Sequence, residues 1–351
     1  MIYLSIIIPS YNSELTIITL LNSILKSGKV KLADVELIIV DDKSNDTSVR
    51  LVVGYFKKNP KFGKTKIIQL HKNSGPAYAR NIGVKYAKGK VVLFLDSDVV
   101  VYKNTIYEVI RSFKNDADLY ALTGVWDKEQ RNNKFFPKFK ALRDWSYWIN
   151  ERDPRHYYYL FSTRVAAIDR ALFNRLGGFN ESYKAALVED IELTYRIARR
   201  YAVVFNPSVI VHHEFENFGP VAKKYFWRSF YWSRIYRERK KFDPVATTGK
   251  EAITTLSAGL LLIMLILYLV SGIMSRLSGI PQAAGNYDAY YTFRFLILTS
   301  FFLLLFIHLW GVRKFLMFAV REEGLLFAVK SFFTGIILYW VILAGAVFSF
   351  I

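Results

Sequence analysis

Asp96 and Asp98 stand two positions apart, directly after the apolar run Val91-Val92-Leu93-Phe94-Leu95. Such a run, rich in valine and leucine, predicts a strand buried on both faces. Carboxylates at the carboxyl end of a buried strand sit where open α/β sheets hold their ligands. Two neighbouring carboxylates repel unless something positive lies between them. A Mg²⁺ or Mn²⁺ ion carrying a diphosphate meets that need, because both ions favour oxygen ligands and phosphate oxygens complete the shell. Asp-x-Asp is also a common solvated turn, so its meaning depends on what flanks it.

The flanking elements predict a sheet that would bring such groups together. Residues 3–8 form an apolar strand ended by Pro9-Ser10-Tyr11-Asn12, and a helix follows with Ser13 as its N-cap. A second strand, 35–40, ends in Asp41-Asp42, and a third covers 66–70. Asn73-Ser74-Gly75-Pro76 opens a helix carrying Arg80 and Asn81, and Gly89 ends it before the strand that leads to Asp96. Strand and helix alternating through short loops specify a parallel, doubly wound sheet whose strand ends deliver polar groups to one edge. G-x-G-x-x-G and G-x-x-x-x-G-K-S/T are both absent from the sequence, which argues against a dinucleotide fold and a P-loop.

Ile8-Pro9-Ser10-Tyr11-Asn12, Val40-Asp41-Asp42-Lys43-Ser44, Asn73 to Asn81 and Leu95-Asp96-Ser97-Asp98 occur in the order and spacing of family 2 glycosyltransferases. The chain resembles that family, whose catalytic domain has the GT-A fold: α/β, Rossmann-like, with a mixed, mainly parallel sheet. The resemblance implies a nucleotide-diphosphate sugar donor, UDP- or GDP-linked, and Mg²⁺ or Mn²⁺ as cofactor. It implies that Asp42, next to Asp41, binds the base and that Pro9, Tyr11 and Asn12 line the nucleoside pocket. The loop from Asn73 through Gly75 to Arg80 would close over base and ribose. Asp96 and Asp98 would hold the diphosphate through the metal, with Asp98 the direct ligand.

Further along, Gly177-Gly178-Phe179 precedes Glu189-Asp190-Ile191-Glu192-Leu193 and Arg196, again resembling the family. A sugar hydroxyl is a poor nucleophile at neutral pH, and a carboxylate within hydrogen-bond reach can take its proton. A helix N-terminus favours the negative charge such a base needs. The family assigns that role to the position of Asp190, with Glu189 orienting it or touching the acceptor. An acid pair that merely caps a helix is the competing reading. Asn206-Pro207-Ser208-Val209-Ile210-Val211-His212-His213 resembles the P-x-x-x-x-x-H element of the family; counting places its histidine at His213, a further metal ligand or diphosphate contact, while the adjacent His212 leaves the choice open.

Composition bounds the rest. The 351 residues carry a formal charge of +19 and are 52% hydrophobic, with no cysteine, so disulfides and thiolate metal sites are excluded. No basic leader precedes the first strand, so no signal peptide is expected. Apolar runs of bilayer length fall only after residue 250, at about 253–273, 293–310 and 331–351. The domains expected are a catalytic one over 1–220, a basic aromatic interfacial helix over 221–250 and a membrane domain over 251–351. Because the basic residues cluster beside the apolar runs, an anionic membrane surface accounts for them and nucleic acid does not. Residues 126–160 mix basic and aromatic side chains, among them Tyr157-Tyr158-Tyr159, and read either as packing or as an acceptor-side, membrane-facing segment. Arg294 and His308 lie near the ends of the second run, where polar tips can reach the interface.

The positive-inside rule puts residues 221–250 and the catalytic domain in the cytoplasm, 274–292 outside, 311–330 inside and the C-terminus outside. The function expected is an inverting, metal-dependent transfer to a hydroxyl of a membrane lipid-linked acceptor. Alternatives are transfer to polyprenyl phosphate itself, a processive polysaccharide synthase, in which case Tyr231 stands where the Q/R-x-x-R-W element has arginine, and a membrane-tethered nucleotide-sugar-binding scaffold without turnover.

Overall fold

The protein is described by a computed structural model over residues 2–60, 64–152, 158–183, 187–242, 248–278 and 287–351. Within them the chain divides into two compact units, Met1–Asn217 and the part from Phe218 onward.

The first unit begins with β1 (Leu4–Ser10), α1 (Ile17–Leu25), β2 (Val35–Asp41), α2 (Ser48–Lys58), β3 (Thr65–Gln69), α3 (Pro76–Tyr86) and β4 (Val91–Leu95). It continues through β5 (Val99–Val101), α4 (Thr105–Asn115), β6 (Ala121–Trp126), α5 (Phe135–Trp145), β7 (Val165–Asp169), α6 (Arg170–Arg175), α7 (Glu189–Ile197) and β8 (Val203–His213). The strands form one sheet in the order β3-β2-β1-β4-β7-β6-β8-β5. β3, β2, β1 and β4 run parallel, whereas β7 is antiparallel to both β4 and β6, and β5 is antiparallel to β8. The sheet is therefore α/β, mixed and mainly parallel, the GT-A architecture. Every residue of β2 and of β4 is buried, as continuous apolar strands covered on both faces must be.

Several details differ from the sequence reading. β1 runs on through Pro9 to Ser10, in register with Val40 and Asp41 of β2; its pairing with β4 ends at Ile7, so at Pro9 the strand is paired on one side only, where a proline is tolerated. α1 starts at Ile17, and Ser13 does not cap it: Ser13 is buried, and its hydroxyl lies 2.6 Å from that of Ser10. Residues 126–160 are more regular than expected, with α5 and a π-helical turn over Ser146–Asn150. Phe136, Phe139, Trp148 and Tyr159 are buried, and Trp148, Tyr159 and Phe205 stack at 5.0–6.0 Å. Core packing accounts for these rings; Tyr157 lies outside the described residues.

The second unit holds α8 (Phe218–Arg239), α9 (Gly249–Ser278), α10 (Tyr287–Glu323) and α11 (Leu325–Phe348). The last three are long and apolar enough to cross a membrane. α10 continues through residues 311–323, where a loop was expected, and only Gly324, at φ 88°, breaks it from α11. Of the outer segment expected over 274–292, residues 274–278 continue α9 and 287–292 begin α10, while 279–286 lie outside those described. α8 packs on α11: the Ser229 hydroxyl donates to the Ile342 carbonyl at 2.7 Å, and Arg237 donates to the Ser349 carbonyl at 2.8 Å. His308 is buried among the helices, with Nδ1 3.1 Å from the Thr254 carbonyl and 3.2 Å from the Ser257 hydroxyl.

Candidate active site

The ends of β1 and β2 and the loop before α3 form the donor-side wall. Asp42 is buried, and its carboxylate accepts the Ser74 N–H at 2.7 Å and the Gly75 N–H at 2.8 Å. Gly75 has φ 90°, a backbone region that side chains rarely adopt, and Pro76 then occupies the first turn of α3. Asp42 thus shapes the loop over which base recognition was expected, rather than standing open in it. Asp41 accepts the Ser44 N–H at 3.2 Å through Oδ2, while its buried Oδ1 has no partner among the described residues. Asn12, at φ 49°, ties the two strand ends together: its side chain accepts the Asn45 N–H at 2.9 Å, and its own N–H donates to Ser44 Oγ at 2.9 Å. Pro9 is half-buried, whereas Tyr11 and Asn73 are exposed at this edge.

Arg80 joins the two acidic elements. It leaves α3 as one of the largest fully buried side chains, with Nη2 2.8 Å from Asp96 Oδ1 and Nη1 3.1 Å from Glu189 Oε1. One planar guanidinium therefore spans carboxylates that are far apart in the chain. This differs from the sequence reading, which put Arg80 over the base and ribose: its charge is taken up beneath the cleft. Glu189 is closed in on both oxygens, since Oε2 accepts the Leu187 N–H at 2.9 Å. Asp190, the next residue in the first turn of α7, is half-buried, and its Oδ1 accepts the Ile191 N–H at 2.8 Å. Thr194, one turn on, donates to the Asp190 carbonyl at 2.6 Å and accepts the Phe161 N–H at 2.9 Å, which pins this helix to the segment before β7.

Asp98 faces His213. Their Oδ2 and Nε2 atoms are 3.3 Å apart, with about half of the Asp98 side chain exposed. Partial enclosure pushes the Asp98 carboxyl upward, but its contact with His213 and the nearby Arg164 charge outweigh this and lower it to about 2. Burial first, and then the Arg164 charge, push His213 below the usual imidazole range. At neutral pH the pair is a carboxylate beside a neutral imidazole. These are oxygen and nitrogen donors at roughly the 3 Å separation of neighbouring ligands around an octahedral Mg²⁺ or Mn²⁺. The donor set fits such an ion. Among the described residues no three His, Asp or Glu side chains converge on one point, so substrate oxygens and water would have to complete the shell. His212 is engaged elsewhere, 3.2 Å from Asp127 Oδ1 and 2.7 Å from Glu214 Oε1.

Two contributors escaped the sequence reading. Asn81 accepts the Phe179 N–H at 2.8 Å and donates to its carbonyl at 2.9 Å, which holds the Gly-Gly-Phe turn against α3. Gly178 has φ 72°, and a β-carbon there would press on Asn81 Oδ1. Asn81 stands in the Asn73–Asn81 stretch, so its neighbourhood is visible in the sequence but its partner is not. Arg164 had no local signal, because its partners Trp126 and Phe215 come from distant parts of the chain.

A mixed sheet of this order, with paired acids at two strand ends and an acid pair opening a helix, is that of a GT-A domain. Residues 5–176 match the model of glycosyl transferase family 2, and the domain they form belongs to that family. It is similar to the poly(ribitol-phosphate) beta-N-acetylglucosaminyltransferase TarS of Staphylococcus aureus, 38% identical over 129 residues, 36% of this chain and 22% of that one. It is also similar to a dolichyl-phosphate beta-glucosyltransferase of Dictyostelium discoideum, 33% identical over 102 residues, 28% of this chain and 31% of that one. These matches thus span less than a third of either relative. The mannosyltransferase PcManGT of Pyrobaculum calidifontis, solved with GDP-Man and Mn²⁺, superposes with a TM-score of 0.57 over 98% of this chain and 86% of that one, and its 16% identity speaks for the fold alone.

Proposed function

We propose that the protein moves one sugar from a nucleotide-diphosphate donor to a hydroxyl of a lipid-linked acceptor, with inversion. The observation that carries this is Arg80, whose one guanidinium bonds both Asp96 and Glu189, so that the Asp-x-Asp element and the Glu-Asp element meet. The exposed edge at Tyr11 and Asn73 would receive the nucleoside. Asp98 and His213 would hold Mg²⁺ or Mn²⁺, which when bound screens the diphosphate charge. Asp190 would take the acceptor proton as the hydroxyl oxygen bonds to the anomeric carbon and the bond to the diphosphate breaks. The three helices that can span a bilayer favour an acceptor presented at the membrane, with the basic stretch before them on the cytoplasmic side.

Asp190→Asn should lower transfer by about a hundred- to ten-thousandfold while nucleoside diphosphate binding stays near wild type, because base catalysis and donor binding use different groups. The check is single-turnover transfer to membrane lipid extract beside calorimetric nucleotide titration. Wild-type turnover in Asp190→Asn would remove the base. The dolichyl-phosphate relative favours a second reading, a phosphate acceptor that needs no base, and retained activity in that variant would point to it.

A further inference from the structure

Beside Asp98 lie two buried N–H donors that no described residue accepts. They are Trp126 Nε1 and Arg164 Nε. Trp126 is only 5% exposed. The Arg164 guanidinium lies over the Trp126 ring, 4.3 Å from its centroid, and 5.5 Å from that of Phe215, whose ring in turn meets His213 at 4.8 Å. The four side chains and Asp98 therefore form one continuous cluster. Buried donors in a native protein have acceptors, so unpaired ones at a cleft point to a ligand. Both groups only donate, and one is a permanent cation. Their complement is an anionic acceptor, and a phosphate group matches the arginine fork.

The fold narrows where that phosphate would sit. Trp126 ends β6 and Arg164 immediately precedes β7; both strands lie across β4 from β1 and β2, whose ends carry Tyr11 and Asp42. The cluster thus approaches Asp98 from the side away from the nucleoside wall. Arg80 cannot serve there, because its charge is shared between Asp96 and Glu189. Glycosyl transfer places negative charge at this point: the electron pair of the breaking sugar–oxygen bond passes to a phosphate oxygen, and the acceptor's proton passes to Asp190.

We propose that Arg164 and Trp126 form a phosphate subsite beside Asp98. This rests on the transferase reading above. Its phosphate comes from one of two sources, the terminal phosphate of the donor's leaving diphosphate or a phosphate carried by the acceptor. The full-length protein, purified in detergent with MnCl₂, is titrated with UDP and GDP, with UMP and GMP, and with vesicles containing polyprenyl phosphate against zwitterionic vesicles. Arg164→Gln removes the charge and Trp126→Phe removes only the N–H while keeping a ring under the guanidinium. Arg164→Lys keeps the charge without the fork and serves where Arg164→Gln fails to fold.

Loss of a charge-assisted hydrogen bond weakens binding by about tenfold or more. If the leaving diphosphate is the source, both variants bind the diphosphate weaker by that factor and the monophosphate unchanged. If the acceptor is the source, nucleotide binding stays unchanged and attachment to the polyprenyl phosphate vesicles weakens instead. Variants that bind every probe as wild type does would overturn the subsite. Wild-type protein that binds no nucleotide would overturn the transferase reading instead.

Discussion

Arg80 has two carboxylates for partners and almost no water. Removing one member of a buried ion pair leaves an uncompensated charge, which destabilises proteins by about 3–5 kcal/mol. Arg80→Gln should therefore lose about 3 kcal/mol or more of folding stability, read as a shift in the chemical-denaturation midpoint, because Glu189 would stay buried beside a neutral amide. Arg80→Lys keeps the charge but cannot reach both carboxylates with one planar fork. Its melting temperature should recover further than its transfer rate does. An Arg80→Gln protein as stable as wild type would show that the bridge does not hold the acidic elements together.

At the scale of elements, the donor-side wall depends on a cross-tie between the loops after β1 and β2. Asp46 accepts the Ser48 N–H through Oδ1 and the Glu14 N–H through Oδ2, both at 3.0 Å, while Glu14 accepts the Thr47 N–H at 3.0 Å. Burial nudges the Asp46 carboxyl upward, but the Ser48 hydroxyl and the Ser48 and Glu14 amides outweigh it and lower the pKa. A carboxyl lowered in the folded state adds stability that is present above its unfolded pKa and fades as the pH falls through the folded one. Asp46→Asn should cost about 1 kcal/mol at pH 7, and the gap to wild type should close on acidification below the ordinary carboxylate range. Urea unfolding at several pH values measures it, and a gap that widens in acid would refute the sign.

At the scale of the whole molecule, the helical unit has the dimensions of a membrane domain. α10 has 37 residues, so it is about 55 Å long against an apolar bilayer core of about 30 Å. Its last turns carry Arg313, Lys314 and Arg321, side chains suited to the headgroup layer. The chain has no cysteine, so single cysteines report topology without a background. In intact cells Asp288→Cys should react with a membrane-impermeant maleimide, whereas Lys223→Cys and Arg321→Cys should react only after lysis. Labelling of Lys223→Cys in intact cells would invert the orientation.

The strand–helix alternation, the acidic strand ends and the apolar spans are legible in the sequence, because each is written in residues adjacent along the chain. Burial on two faces needs continuous apolar runs, a bilayer needs long ones, and Asp96, Asp98, Glu189 and Asp190 sit in short blocks whose spacing is local. What those groups meet depends on packing between distant segments, and the fold supplies it. It turned Arg80 away from the nucleoside toward Asp96 and Glu189, engaged Asp42 with the loop it was expected to face, set His213 rather than His212 against Asp98, and buried His308 among helices. Each of these depends on partners distant in sequence, and the insertion of antiparallel β7 between β4 and β6 is what brings Arg164 and Trp126 beside them. Local preference cannot encode a meeting of side chains that sheet order alone arranges.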